Sequence, residues 1–396
     1  MIERVSKILF LLILVELCLG GGGRFTAIGP VSLRMILFSM ALAMSVPLLI
    51  NKKSIPSEIW KLIIGFVCMI LIATMVGWIK QNPKNLIYED VKPLSYFFVL
   101  PFFYLIIDDV MITKVIKAIK VSSIFMAAIF ILLLVLINSD IIPFLDFYRA
   151  TLKSEEIFYR GEVTFFYKGF LLFGIGAIFY YFTDHSKWRK YFLLVLVIAI
   201  ILSVTRGLLI SLAFTFSIYF FFTNSYWRAS VGIALVVIFV VWGSDIILSG
   251  SRSFDARLNN KSYNEADPYL LGDRNYSDNG RVTQAKEVWQ ELSISSCLLG
   301  HGFGEGTSSR PVHMEISYLE IFHKQGLTGL IFWGSLAGTI LVQYRKAIAS
   351  PAANAFFFSA LFIFVESLTN QYINNPIGMS MLLLSLVCLY KLKTPE

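Results

Sequence analysis

The sequence predicts an all-α polytopic membrane protein with about twelve transmembrane helices and one large extracytoplasmic loop. Three observations predict it. The 396 residues are 57% hydrophobic and their mean hydropathy is +0.71, more apolar surface than a water-facing fold can hide, so lipid must cover part of it. Apolar stretches of spanning length recur along the whole chain rather than at one end. Only one long polar segment, residues 249–312, interrupts them.

The first run, 6–21, follows a basic start (Arg4, Lys7) as a signal peptide would. Gly20 to Gly23, however, offer no small-x-small cleavage pattern and more spans follow, so it is read as a retained helix. The remaining spans are 31–50, 60–79, 93–107, 115–137, 164–183, 191–204, 207–223, 229–248, 326–343, 353–370 and 377–392. With the N-terminus in the cytoplasm, the inner turns carry Lys52/Lys53, Lys114/Lys117/Lys120, Lys187/Arg189/Lys190, Arg228, Arg345/Lys346 and Lys391/Lys393. The inner ends hold 16 Lys and Arg and the short outer segments 11, the bias expected of cytoplasmic loops. Twelve spans return the C-terminus to the cytoplasm. The chain divides into spans one to nine (1–248), an outer loop (249–325), and spans ten to twelve with a cytoplasmic tail (326–396).

Residues 191–223 need separate argument. This apolar run of 33 residues is interrupted only by Thr205-Arg206-Gly207. As one helix it would reach about 50 Å, against a hydrocarbon core of roughly 30 Å. Both flanks are basic and prefer the same side, which requires an even number of crossings. The run is therefore expected to be a hairpin of two short helices with Arg206 at its outer tip.

The polar segment 249–312 then lies outside, with seven basic and eight acidic residues. It contains turn-rich stretches and one helical pattern, Arg281 to Leu292. Cys18, Cys68 and Cys388 lie in apolar runs and Cys297 stands alone, so no disulfide framework is expected. The net charge of +8 is scattered over span ends, which fits membrane orientation and not nucleic-acid binding. On this topology the 14 arginines divide ten outside and four inside, while the 20 lysines divide eight and twelve. Guanidinium forks bind phosphate oxygens bidentately and lysine cannot. An arginine-rich outer face suits a phosphate or diphosphate at headgroup level.

Three ordered motifs then point to a family. Around the hairpin tip the chain reads Ser203-Val204-Thr205-Arg206-Gly207. In the outer loop, Gly280-Arg281 opens an amphipathic helix carrying Trp289, followed by Gly300-His301-Gly302-Phe303-Gly304. Last comes Glu315-Ile316, nine residues, Gly326, two residues and Gly329, with Tyr318-Leu319 inside the frame. Together these resemble the bacterial O-antigen ligase/polymerase superfamily. The ligases carry His followed by Asn, Ser or Gln where this chain has Glu315-Ile316, and this departure favours the polymerase side.

The resemblance implies a glycosyl transfer on the outer face of the bacterial inner membrane. Glycans linked to undecaprenyl pyrophosphate would be donor and acceptor, with no cofactor and no metal. A chain-length regulator and a flippase are the implied protein partners. Arg206 and Arg281 are the candidates for holding the leaving pyrophosphate. Glu315 is the candidate base by frame, with His313 the runner-up by chemistry. Arg149 and Arg160 in the outer loop 138–163, together with Gly302, Gly304 and Tyr318, are the candidate substrate contacts. Glu16 and Glu366 lie inside spans and are expected to pair with neighbouring helices. His185 and His323 read as solvated loop histidines. No outer segment shows metal-ligand spacing. A twelve-span transporter is the rival class, but no internal repeat supports it.

Overall fold

A computed structural model describes residues 2–23, 27–28, 31–51, 55–152, 156–160, 164–238 and 274–393. The described chain is built mainly of helices, many of them apolar along their length. They are α1 (Ile2–Leu19), α2 (Leu33–Asn51), α3 (Ser57–Ile79), α4 (Lys84–Leu94), α5 (Leu100–Ile106), α6 (Asp109–Asn138), α7 (Phe144–Leu152), α8 (Leu171–Thr183), α9 (Arg189–Leu202), α10 (Arg206–Phe222), α11 (Tyr226–Ile238), α12 (Arg274–Gln290), α13 (Ile294–Leu299), α14 (Ser317–Lys346), α15 (Pro351–Glu366) and α16 (Pro376–Lys391). Helices α2, α3, α6 and α14 are each long and apolar enough to cross a bilayer alone, and shorter apolar helices accompany them. Large apolar side chains stay exposed on these helices, among them Leu71, Met75, Val121, Phe125, Leu132 and Ile331. Such a surface suits lipid and not water.

Aromatic packing knits the bundle. Phe66 of α3 stacks on Phe97 at 4.0 Å and meets Phe332 and Trp333 of α14. Phe130 of α6 packs on Phe170 and on Phe173 of α8. Each such pair contributes about 0.5–1.5 kcal/mol beyond its buried area.

The 191–223 run is broken as expected. Helix α9 ends at Leu202, α10 starts at Arg206, and Val204 between them has φ +51°. Phe192 at the start of α9 lies 4.9 Å from Tyr180, and Tyr219 near the end of α10 lies 4.8 Å from Phe182. Both ends of the run thus return to the same end of α8, so the chain turns back on itself at Arg206.

Connectors sort into two groups. At one end Lys7 binds Asp108 at 2.7 Å, Lys120 binds Asp184 at 2.6 Å, and Ala347 pairs with Lys393. At the other, the Gly22 amide donates to Glu156, Thr164 donates to the Leu202 carbonyl, and Ser317 donates to Asn370.

Two spans differ from expectation. The run 93–107 is composite: it begins on the last turn of α4, passes through a 3-10 turn at Ser95–Val99, and finishes as α5. Pro93 and Pro101 explain this, since neither supplies an amide to a continuous helix. The run 164–183 starts as a strand, not a helix. Strand β2 (Thr164–Tyr167) pairs antiparallel with β1 (Ile157–Arg160), its β-branched and aromatic residues buried on both faces. The last ten residues of the 229–248 run lie outside the described residues, as does the boundary at 248/249.

The loop helix begins earlier than expected, at Arg274, and ends at Gln290. Helix α14 is bent at Gly326, where φ +63° and ψ −156° leave the helical region. The bend divides a first part carrying Glu320 and Lys324 from an apolar second part.

Candidate functional site

Helix α4 lies between the third and fourth expected spans and brings Asp90 inward. The first turns of α14 place Glu320 and Lys324 four residues apart on one face. Lys324 Nζ donates to Asp90 Oδ1 at 2.6 Å, to Glu320 Oε1 at 2.8 Å and to the Val312 carbonyl at 2.6 Å. The second oxygen of Glu320 accepts from Gln371 and Asn374, each at 2.6 Å. The second oxygen of Asp90 accepts from the Gly304 amide at 2.8 Å. Burial raises the Asp90 carboxyl above its ordinary range, with the Lys324 charge pulling the other way. His313 completes the group, its Nδ1 3.3 Å from Glu320 Oε1 and 3.8 Å from Asp90 Oδ1. An ionised Glu320 only accepts, so in the neutral imidazole this contact puts the proton on Nδ1 and leaves the Nε2 lone pair free.

These side chains line a cavity of about 910 Å³. Its walls come from connectors and the neighbouring turns of several helices: Gly22 and Gly23, Arg34, Glu89, Asp90, Lys92 and Pro93, Ala150 and Glu156, Phe303 and His313, and Gln371, Asn374, Asn375 and Pro376. The wall carries four acidic groups (Glu89, Asp90, Glu156, Glu320) and four basic ones (Arg34, Lys92, Lys168, Lys324). A balanced, hydrogen-bonding cavity of this kind suits a polyhydroxylated ligand.

A second cluster lies beside it. Glu315 accepts from Arg310 at 2.8 Å and forms an ion pair with Arg281, whose Nε lies 3.0 Å away, and its amide donates to Gln284 at 3.1 Å. Arg206 opens α10, where Gly207 packs against Thr369, Asn370 and the Glu366 carboxylate. Glu366 in turn accepts from Ser211 at 2.7 Å and Asn370 at 2.5 Å.

Of the candidates with described side chains, His313 alone lines the cavity. Glu315 is engaged by two guanidinium groups. Tyr318 donates to the Phe364 carbonyl at 2.9 Å. Arg149 is exposed on α7, next to the cavity-lining Ala150. The Arg160 side chain lies outside the described residues. The Gly-x-Gly-x-Gly turn spends its amides on helices and on Asp90: His301 on the His323 carbonyl, Gly302 on Lys324, Phe303 on Ala73. A Cβ on Gly302 would stand 2.2 Å from the Gly77 nitrogen, and its φ is +85°. The turn thus wedges between α3 and α14.

Two expectations are corrected. His323 is not solvated but 2% exposed, stacked on His301 at 4.5 Å, because the glycine turn packs on this part of α14, with the His301 and Gly302 amides donating to the His323 and Lys324 carbonyls. Burial and the Lys80 charge both hold the His301 imidazole below its ordinary range. Second, residues without metal-ligand spacing in sequence do meet in space. Asp90, His313 and Glu320 form one group and Glu291, His301 and His323 another. In the first, the Lys324 ammonium already sits between the carboxylates where a divalent cation would bind.

Asp90, Glu320, Lys324, Gln371 and Asn374 escaped the motif reading. The available signal was Glu320 and Lys324 at i,i+4 spacing just before an apolar run, a costly placement for unpaired charges.

No family model matches the chain. Over 392 residues it is 27% identical to a protein of Shigella flexneri named O-antigen polymerase, covering 95% of this chain and 92% of that protein. The resemblance first seen in three motifs is therefore a relationship along nearly the whole chain.

Proposed function

We infer that the protein polymerises lipid-linked oligosaccharide repeats on the outer face of the bacterial inner membrane. The Asp90–Lys324–Glu320–His313 group inside the cavity carries this reading, and the near-full-length similarity to an O-antigen polymerase supports it. A hydroxyl of the acceptor repeat, held in the cavity, attacks the anomeric carbon of a glycan attached to undecaprenyl pyrophosphate. The new glycosidic C–O bond forms as the bond to the pyrophosphate oxygen breaks. The hydroxyl proton passes to His313 Nε2, while Glu320 orients the imidazole and stabilises its charged form. His313 is the base on this reading and not Glu315, whose oxygens are held by Arg281 and Arg310. Asp90 and Glu320 accept hydrogen bonds on both of their oxygens and serve as the frame. Arg206 and Arg281 hold the departing pyrophosphate, with Arg149 and Arg160 extending the same outer basic surface. Lys324 supplies the fixed positive charge between the carboxylates, so the step uses no metal.

Deleting the gene should leave single repeat units on the surface anchor, with long chains missing from the glycan ladder. Long chains stranded on undecaprenyl pyrophosphate, with none on the lipid core, would instead identify a ligase.

A further inference from the structure

The cavity contains a cation that the reaction above does not use. Arg34, in the first turn of α2, is 1% exposed and lines the cavity. Its Nε donates to Glu16 of α1 at 2.7 Å and its Nη2 to the Gly21 carbonyl at 2.5 Å. Its Nη1 is buried without a hydrogen-bond partner. A buried guanidinium donor left unsatisfied is costly, so this nitrogen calls for a partner from within the cavity it lines: a water, an ion or a substrate oxygen.

The glycine run 20–23 builds this place. Gly22 donates its amide to Glu156 at 2.7 Å, and a Cβ there would stand 2.3 Å from the Glu156 carboxylate. Gly23 lies over the guanidinium, where a Cβ would come within 3.5 Å of Cζ. Lys168 lines the same cavity, its amide bonded to the Glu156 carbonyl at 3.2 Å. On α2 the neighbouring Leu33, Ile36 and Met40 are exposed, as a lipid-facing track would be. One helix thus offers an apolar track outside and, one residue along, an unsatisfied guanidinium inside.

We propose that Arg34 binds the diphosphate of the lipid-linked acceptor, whose isoprenoid tail lies along the outer face of α2. The assignment rests on the polymerase reading. The base His313 and Arg34 share one cavity, so the substrate whose hydroxyl loses its proton is the one whose anchor Arg34 meets. The donor's diphosphate belongs with Arg206 and Arg281, outside that cavity. The chemistry selected is a doubly charged phosphate ester at headgroup depth, whose oxygen the remaining guanidinium nitrogen, Nη1, meets with a charge-assisted hydrogen bond.

The test uses purified protein in lipid nanodiscs with a lipid-linked repeat as donor. Two acceptors are compared: the repeat joined to an isoprenoid through diphosphate, and the same repeat joined through a neutral ether. Wild type should prefer the diphosphate acceptor. In R34Q that preference should fall about tenfold or more, the worth of one hydrogen bond to a charged group. R34K keeps a cation for Glu16 and should keep the thermal midpoint while losing part of the preference, so it carries the test if R34Q fails to accumulate. An equal fall with both acceptors, leaving the preference intact, makes Arg34 a purely structural residue and overturns the proposal. Failure of wild type to elongate either acceptor rejects the polymerase reading itself.

Discussion

The Lys324 ammonium lies 2.6 Å from the Asp90 carboxylate, although 234 residues separate them in the chain. Both side chains are nearly inaccessible, at 3% and 5% exposure. This contact ties the connector after the third span to the helix that carries Glu320, and so sets the position of His313.

Removing that cation leaves two buried carboxylates facing each other. Lys324→Met should destabilise the fold by about 3–5 kcal/mol, the cost of breaking a buried pair from one side. Thermal unfolding in detergent would show it, together with loss of long glycan chains. A variant with wild-type stability and polymer would remove the pair from the site.

His313 and Glu315 separate the geometry from the motif frame. His313→Ala should lower chain extension by about 10²–10⁴, the usual loss of a general base. Glu315→Gln keeps an acceptor oxygen for one of its arginines and should remain partly active. The motif frame alone orders them the other way, so a rate assay on both variants decides between the two.

Arg206→Lys and Arg281→Lys should each lose most activity at normal expression, because a point charge loses the bidentate geometry. Full polymer length from either variant excludes that arginine from pyrophosphate binding.

The glycine turn gives a purely structural expectation. Gly302→Ala forces a Cβ to 2.2 Å from the Gly77 nitrogen at φ +85°, and should prevent accumulation of folded protein. Gly338→Ala, with nothing within 4 Å of the added carbon, should fold normally. Equal yields from the two would disprove the wedge between α3 and α14.

Chelation addresses the cation inside the cavity. With Lys324 between Asp90 and Glu320, chain extension should persist in excess EDTA. Loss of activity restored by magnesium or manganese would mean a metal displaces the ammonium.

The bundle is legible in the sequence because hydropathy and charge at span ends are local signals. The turn at Arg206 follows from length and flanking charge, and the paired ends near Tyr180 and Phe182 agree with it. The strand Thr164–Tyr167 was hidden because Thr-Phe-Phe-Tyr is as apolar as the helix it precedes. The site was harder. His313 is a histidine near a motif, but Asp90, Glu320 and Lys324 read singly as loop charges. Their meaning lies in a contact across 234 residues that no spacing rule anticipates. In sequence Gly20 to Gly23 show only a missing cleavage pattern, whereas in the fold they shape the surroundings of Arg34 and Glu156.

The cavity is walled by connectors that each join a different pair of spans. Helix packing fixes where those connectors start and stop, but leaves the residues between them comparatively free. A lineage can therefore alter which sugars it accepts by exchanging short stretches of one connector, while the surrounding membrane scaffold is inherited unchanged. Chimeras that swap the 139–163 connector between relatives of differing glycan preference are the natural material in which to watch that happen.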